Sequence, residues 1–116
     1  MEIEEKRLSR RLKVNLPVNF EQTSAPRQFG ETTTKDISIS GLRMNMDGFF
    51  APSTNFLIKL HFPEVNRIIE AMASVVWSHR ISYSDQYQAG LHFCEINPMH
   101  KKWLEEYIIV NEALGK

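Results

Sequence analysis

The chain has 116 residues, of which 42% are hydrophobic and 24% are charged. This size and composition fit one globular domain and argue against a disordered, collagen-like or repeat protein. Its 14 lysines and arginines are balanced by 14 aspartates and glutamates, so the basic excess of a protein that coats nucleic acid is missing. We therefore expect no binding to a nucleic-acid polymer, whereas a local basic cluster still suits a small anion.

Cysteine usage and hydropathy bear on the compartment. Cys94 is the only cysteine in the sequence, so an intramolecular disulfide is impossible and a reducing compartment is expected. The first residues are charged and lack the apolar segment of a signal peptide. No apolar run approaches the roughly 20 residues that a membrane-spanning helix needs. These features predict a cytoplasmic protein without direct membrane insertion.

Alternating apolar residues predict strands through most of the chain. Residues 1–12 form a charged arm, after which Leu16, Val18 and Phe20 fall on one face of a strand. Turn residues such as Pro26 and Gly30 separate this strand from the next. Several short strands joined by turns favour a β-sandwich or β-barrel. Further strands are predicted over 32–40, 42–46, 56–62, 69–77 and 89–93.

The C-terminal segment has a different period. Asn97 is a good N-cap, and Pro98 suits the first helical position. Apolar residues then recur at helical spacing, from Met99 through Trp103 and Tyr107, and Gly115 supplies a stop. The sequence therefore predicts one helix that plugs or flanks an all-β barrel.

Two short motifs carry the candidate chemistry. One is RxxxR, formed by Arg7 and Arg11, and the other is DxSxxG, formed by Asp36, Ser38 and Gly41. Each has a plain structural explanation by itself, because short motifs often match by chance. The arginines could be a solvated part of the arm, and the second motif could be a strand that ends in a turn.

Together the two motifs are more specific. An RxxxR just before the first strand and a DxSxxG that closes the second resemble the two-part signature of the PilZ family, and the resemblance extends over residues 6 to 96. It implies a mainly β fold, a six- or seven-stranded antiparallel β-barrel with a C-terminal α-helix. The expected parts are an arm at 1–12, a barrel at 13–96 and a helix at 97–116. It also implies a non-catalytic receptor that binds cyclic di-GMP and signals to an effector protein.

The chemistry of the motif residues agrees with that implied ligand. Arginine meets phosphate oxygens with a planar fork and matches O6 and N7 of guanine in the same way. A carboxylate can accept from guanine N1–H and N2–H₂, a hydroxyl two residues on lies on the same strand face, and a glycine permits close approach. The resemblance implies ligand contacts for Arg7, Arg11, Asp36, Ser38 and Gly41, with Lys6 and Arg10 as additional candidates.

Other residues offer weaker signals. His92 and Cys94 share a strand face, but no second pair with ligand spacing predicts a metal site, so we expect a partly exposed histidine and a buried thiol. Trp77 could stack on a guanine, although its odd-numbered position on an apolar face favours the core.

The sequence shows no catalytic triad or phosphate-binding glycine loop, so we expect no enzyme and no cofactor. A PilZ-like interaction module that ignores nucleotide remains the alternative.

Overall fold

The computed structural model describes residues 11–25 and 27–113. Within these ranges six strands close into an antiparallel barrel in the order β1-β2-β3-β6-β5-β4. A short 3₁₀ turn, Pro63–Val65, joins β4 to β5, and one helix follows β6. The predicted fold class is confirmed. The elements are β1 Pro17–Gln22, β2 Phe29–Ile37, β3 Gly41–Met46, β4 Asn55–Phe62, β5 Arg67–Arg80, β6 Tyr87–Ile96 and α1 Pro98–Ala113.

The alternating apolar residues fill the barrel. On β4, Phe56, Ile58 and Leu60 are fully buried, and the residues between them face outward or lie half-buried. Phe20 and Phe50 pack edge-on against the ring of Phe56, with centroids 5.6 and 5.1 Å away. Each such buried side chain contributes about 1.5–3 kcal/mol through removal of apolar surface from water.

Helix α1 begins where the sequence predicts. The side chain of Asn97 accepts hydrogen bonds from the backbone N–H groups of Met99 and His100, at 2.8 and 3.4 Å, which is the geometry of an N-cap. Leu104 and Ile108 extend from the helix into the hydrophobic core. Among the described residues, no helix is long and apolar enough to cross a membrane.

An irregularity in β5 changes the direction of Trp77. Val75 pairs with Leu91 and Trp77 pairs with Gly90, so one extra residue, Val76, bulges out of the ladder. Val75 is buried in the core, whereas Trp77 is half-buried and lies outside the core cluster. The prediction of Trp77 as a core residue is therefore wrong, because the bulge breaks the two-residue period on which it relied.

Candidate functional site

The last part of the predicted arm is bound to strand β2. Leu12 and Ile37 exchange two backbone hydrogen bonds of 2.8 and 3.0 Å. Further along, the hydroxyl of Thr34 accepts from the backbone N–H of Leu16 at 2.9 Å. Leu12 and Leu16 are both buried in the core. Arg11, which directly precedes these anchors, is consequently held beside the end of β2.

Arg11 and Arg43 enclose the carboxylate of Asp36. Arg11 donates from Nη1 to Oδ1 of Asp36 at 2.9 Å. Arg43 donates from Nε to Oδ2 at 2.6 Å, and its Nη2 donates to the same oxygen. The Asp36 side chain is only 1% exposed, whereas those of Arg11 and Arg43 are 40% and 38% exposed. A buried carboxylate needs such partners, and the three groups together carry one net positive charge.

This cluster also affects the ionisation of Arg43. The hydrogen bond to Asp36 is the main cause that raises the pKa of the Arg43 guanidinium above its usual value. The negative charge of Asp36 acts in the same direction, while desolvation by burial acts against both. Arg43 is therefore a permanent cation at any working pH.

A bulge in β2 turns Asp36 toward the outside of the barrel. Thr34 pairs with Met44 and Asp36 pairs with Arg43, so Lys35 is the extra residue on β2. In a regular strand Thr34 and Asp36 would share one face. The bulge lets Thr34 stay on the core side with the fully buried Met44, while Asp36 joins Arg43 on the outer side.

Ser38 and Gly41 have structural roles at the connection from β2 to β3. The sequence predicted Ser38 on a strand. Strand β2 ends at Ile37, however, so Ser38 lies in the turn. Its N–H donates to the carbonyl of Gly41 at 2.8 Å, and its buried Oγ lies 3.0 Å from Oγ of Ser40. A Cβ on Gly41 would collide with the carbonyl oxygen of Leu91 on β6. The glycine is thus required by strand packing, and a ligand contact at either residue stays a prediction.

Trp77 extends the site across the outer face of the sheet. Arg43 pairs with Gly90, and Gly90 pairs with Trp77, so the three residues lie side by side on β3, β6 and β5. A Cβ on Gly90 would collide with the indole, which shows that the ring covers this glycine. The ring of His79 lies 5.1 Å from that of Trp77. A guanidinium and an aromatic face are thereby placed on either side of a residue without a side chain.

A family comparison bears on this arrangement. The family model described as PilZ domain matches residues 5–109. The chain belongs to the PilZ domain family. Comparison with curated protein sequences gives no match.

Solved PilZ structures share the fold at low sequence identity. The Bacillus subtilis inhibitor of motility, MotI/DgrA, has a TM-score of 0.77 and 22% identity over 89% of this chain, which spans 49% of that one. The PilZ domain of Escherichia coli YcgR with cyclic di-GMP has a TM-score of 0.68 and 13% identity, with 91% of each chain covered. Borreliella burgdorferi PlzA in complex with cyclic di-GMP has a TM-score of 0.59 and 12% identity over 99% of this chain and 56% of its own.

The structure describes part of the predicted PilZ site. It brings Arg11 and Asp36 into contact, places Ser38 in the adjoining turn and places Gly41 at the start of β3. The other arm candidates, Lys6, Arg7 and Arg10, lie outside the described residues.

Sequence reasoning missed Arg43 as a member of the site. Leu42, Met44 and Met46 alternate as core residues, so the residue between the first two had to face outward. That pattern could have placed the arginine beside the second PilZ motif. That Arg43 is the partner of Asp36 could be seen only from the register of β2 against β3 in the structure.

His92 and Cys94 lie on the outer side of β6. Both are exposed, so the prediction of a buried thiol is wrong. The reason is strand alternation, because the neighbouring Phe93 is the residue that points into the core. In the part of the chain that the structure describes, no three His, Cys, Asp or Glu residues are grouped to hold a metal ion.

Proposed function

We propose that this PilZ domain is a non-catalytic receptor that binds cyclic di-GMP on the outer face of β3, β6 and β5. The bound form then engages or releases an effector protein, with motility, pili or exopolysaccharide synthesis as the output. The observation that carries the proposal is the cluster in which Arg11 and Arg43 enclose the buried carboxylate of Asp36, one strand away from the glycine under Trp77.

The ligand and this surface have complementary chemistry. Cyclic di-GMP presents two phosphates and two guanines. Among the residues that the structure describes, Arg11 uses one of its five N–H donors on Asp36 and Arg43 uses two, which leaves both with donors for phosphate oxygens or for a guanine edge. The half-buried indole of Trp77 offers a face on which a base can stack.

The arm supplies the remaining contacts in this proposal. Arg7 is assigned to the ligand phosphates, and Lys6 and Arg10 add positive charge next to it. The arm is anchored at Leu12, so ligand contacts just before this residue would hold the arm against the barrel. A surface reshaped in this way is what the effector would recognise.

A second candidate is an interaction module that does not respond to nucleotide. One observation favours it: the Asp36 carboxylate is almost fully buried, and both its oxygens already accept hydrogen bonds from arginines. Under this alternative the cluster is purely structural, and the outer face binds protein alone.

Calorimetric titration separates the two candidates. The native protein is titrated with cyclic di-GMP, and with GMP as the control for a single guanine and phosphate. The receptor predicts saturable binding of the cyclic dinucleotide and much weaker binding of GMP. Absence of binding at millimolar cyclic di-GMP would leave the interaction module as the function.

A further inference from the structure

Arg43 and Arg11 hold Asp36 in unequal ways. Arg43 places two N–H groups on Oδ2, whereas Arg11 places one on Oδ1. A carboxylate has about four lone-pair positions, so, counting the contacts of the described residues 11–25 and 27–113, Oδ1 has more capacity left than Oδ2. The two oxygens are therefore suited to different partners.

The backbones of the two arginines are also anchored differently. Arg43 lies inside β3, where it is paired with Asp36 on one side and Gly90 on the other. Arg11 precedes the bridge between Leu12 and Ile37 and lies outside the named strands. Displacement of the Arg11 side chain leaves the barrel ladder intact, whereas Arg43 is fixed at both neighbouring strands.

We propose that Arg43 is a positioning residue for base recognition, an inference that rests on the proposed function. It fixes the plane of the Asp36 carboxylate through Oδ2 and leaves Oδ1 for an exchangeable donor. That donor is Arg11 in the free protein and the Watson–Crick edge of guanine in the complex.

The exchange keeps the buried charge paired in both states. Loss of every partner at Oδ1 would leave half of a desolvated carboxylate unsatisfied, which is costly. Guanine N1–H and N2–H₂ can take the place of Arg11 Nη1, and the freed guanidinium of Arg11 then meets a ligand phosphate. Adenine has neither the N1–H nor the N2–H₂ group, so it cannot complete the exchange.

Variants of Arg43 test this role through base selectivity. Arg43→Gln, Arg43→Lys and the native protein are each titrated with cyclic di-GMP and cyclic di-AMP, and ligand-free thermal midpoints are recorded. Arg27→Gln is the matched control, because Arg27 is exposed and its ion-pair contact is with Glu21, at 3.6 Å. The selectivity ratio is the Kd for cyclic di-AMP divided by the Kd for cyclic di-GMP. We expect Arg43→Gln to reduce this ratio by about tenfold or more, since a charged hydrogen bond to the Asp36 carboxylate is lost. Arg43→Lys should retain an intermediate ratio, and Arg27→Gln the native one.

The outcomes separate this inference from the proposed function. If the native protein binds cyclic di-GMP but Arg43→Gln keeps its selectivity ratio, the positioning role is overturned and the receptor function stands. This includes the case in which Arg43→Gln weakens the binding of both nucleotides by the same factor, because Arg43 would then contribute charge alone. If Arg43→Gln does not fold, a native ratio in Arg43→Lys overturns it in the same way. Failure of the native protein to bind removes the proposed function, and this inference with it.

Discussion

The indole of Trp77 lies over Gly90 on the neighbouring strand, in the space that a side chain would otherwise fill. Arg43 pairs with the same glycine from the other side, so Trp77 and Arg43 lie on the two strands that flank Gly90. The bulge at Val76 is responsible, because it moves Trp77 to the outer side of β5 while Val75 stays in the core.

Substitution of Trp77 should weaken nucleotide binding. Stacking of one base on an aromatic side chain contributes about 1–3 kcal/mol, so Trp77→Ala should raise the Kd for cyclic di-GMP roughly 5- to 150-fold. The sequence has two tryptophans, which permits a fluorescence test. Cyclic di-GMP should change the emission of Trp103→Phe, in which Trp77 remains, and leave that of Trp77→Phe nearly constant. The reverse pattern would place the ligand at the helix.

Arg11 and Arg7 should differ in their effect on stability. Loss of either motif arginine is expected to weaken cyclic di-GMP binding roughly 5- to 150-fold, the equivalent of one bidentate contact. Because both arginines lie on the predicted arm at 1–12, the sequence predicts that neither change moves the thermal midpoint of the free protein. The ion pair with buried Asp36 revises this for Arg11, because Arg11→Ala removes the donor to Oδ1. Denaturant titration should show a loss of about 1 kcal/mol for Arg11→Ala. An unchanged affinity in both variants would refute the arginine clamp.

Asp36 should determine base selectivity. The native protein is expected to reject cyclic di-AMP, because a site built to hydrogen-bond a particular group discriminates strongly against an analogue that lacks it. Asp36→Asn should bind cyclic di-GMP more weakly, so that the difference between the Kd values of the two nucleotides, measured by calorimetry, becomes smaller. Asp47→Asn is the control, since Asp47 is exposed and accepts from the side chain of Gln86 in a loop contact of 2.9 Å. Equal affinity of the native protein for both nucleotides would assign Asp36 a structural role.

The cations of the arm predict the stoichiometry. Lys6, Arg7, Arg10 and Arg11 place four positive charges within six residues, which suits an intercalated dimer of cyclic di-GMP. Titration far above the Kd should approach two nucleotides per chain and fall toward one in Lys6→Leu. Added salt should weaken the second site, because exposed charges are screened within about 10 Å at 0.1 M. A value of one that is indifferent to Lys6 would favour the monomeric ligand.

Tyr107 should make the stability of the domain sensitive to alkaline pH. Burial is the main cause that raises the pKa of Tyr107, and the charge and hydrogen bond of Glu64 act in the same direction. The folded state therefore favours the neutral phenol of Tyr107. The contribution of this phenol to the free energy of unfolding is complete below the unfolded pKa of about 10 and is lost as pH rises above that value. Urea denaturation at pH 9 and 11 should show a smaller loss in Tyr107→Phe than in the native protein. Equal losses would contradict this role.

Residue patterns predicted the barrel but not the environment of its site. Alternation identified the strands and the capping residues identified the helix, because both follow from local geometry. The bulges at Lys35 and Val76 have no comparable local signal, and they decide which way Asp36 and Trp77 face. The contact between Asp36 and Arg43 depends on strand register, which is set by pairing between distant segments.

An NMR titration of the native protein with cyclic di-GMP tests the binding face most directly. We predict saturable shifts of the Trp77 indole N–H and of the backbone amides of Asp36, Arg43 and Gly90, with little change in helix α1. The reason is that these residues lie together on the outer face of β2, β3, β6 and β5. A titration that leaves these four signals unmoved at saturating nucleotide, or moves only signals of α1, would contradict the account.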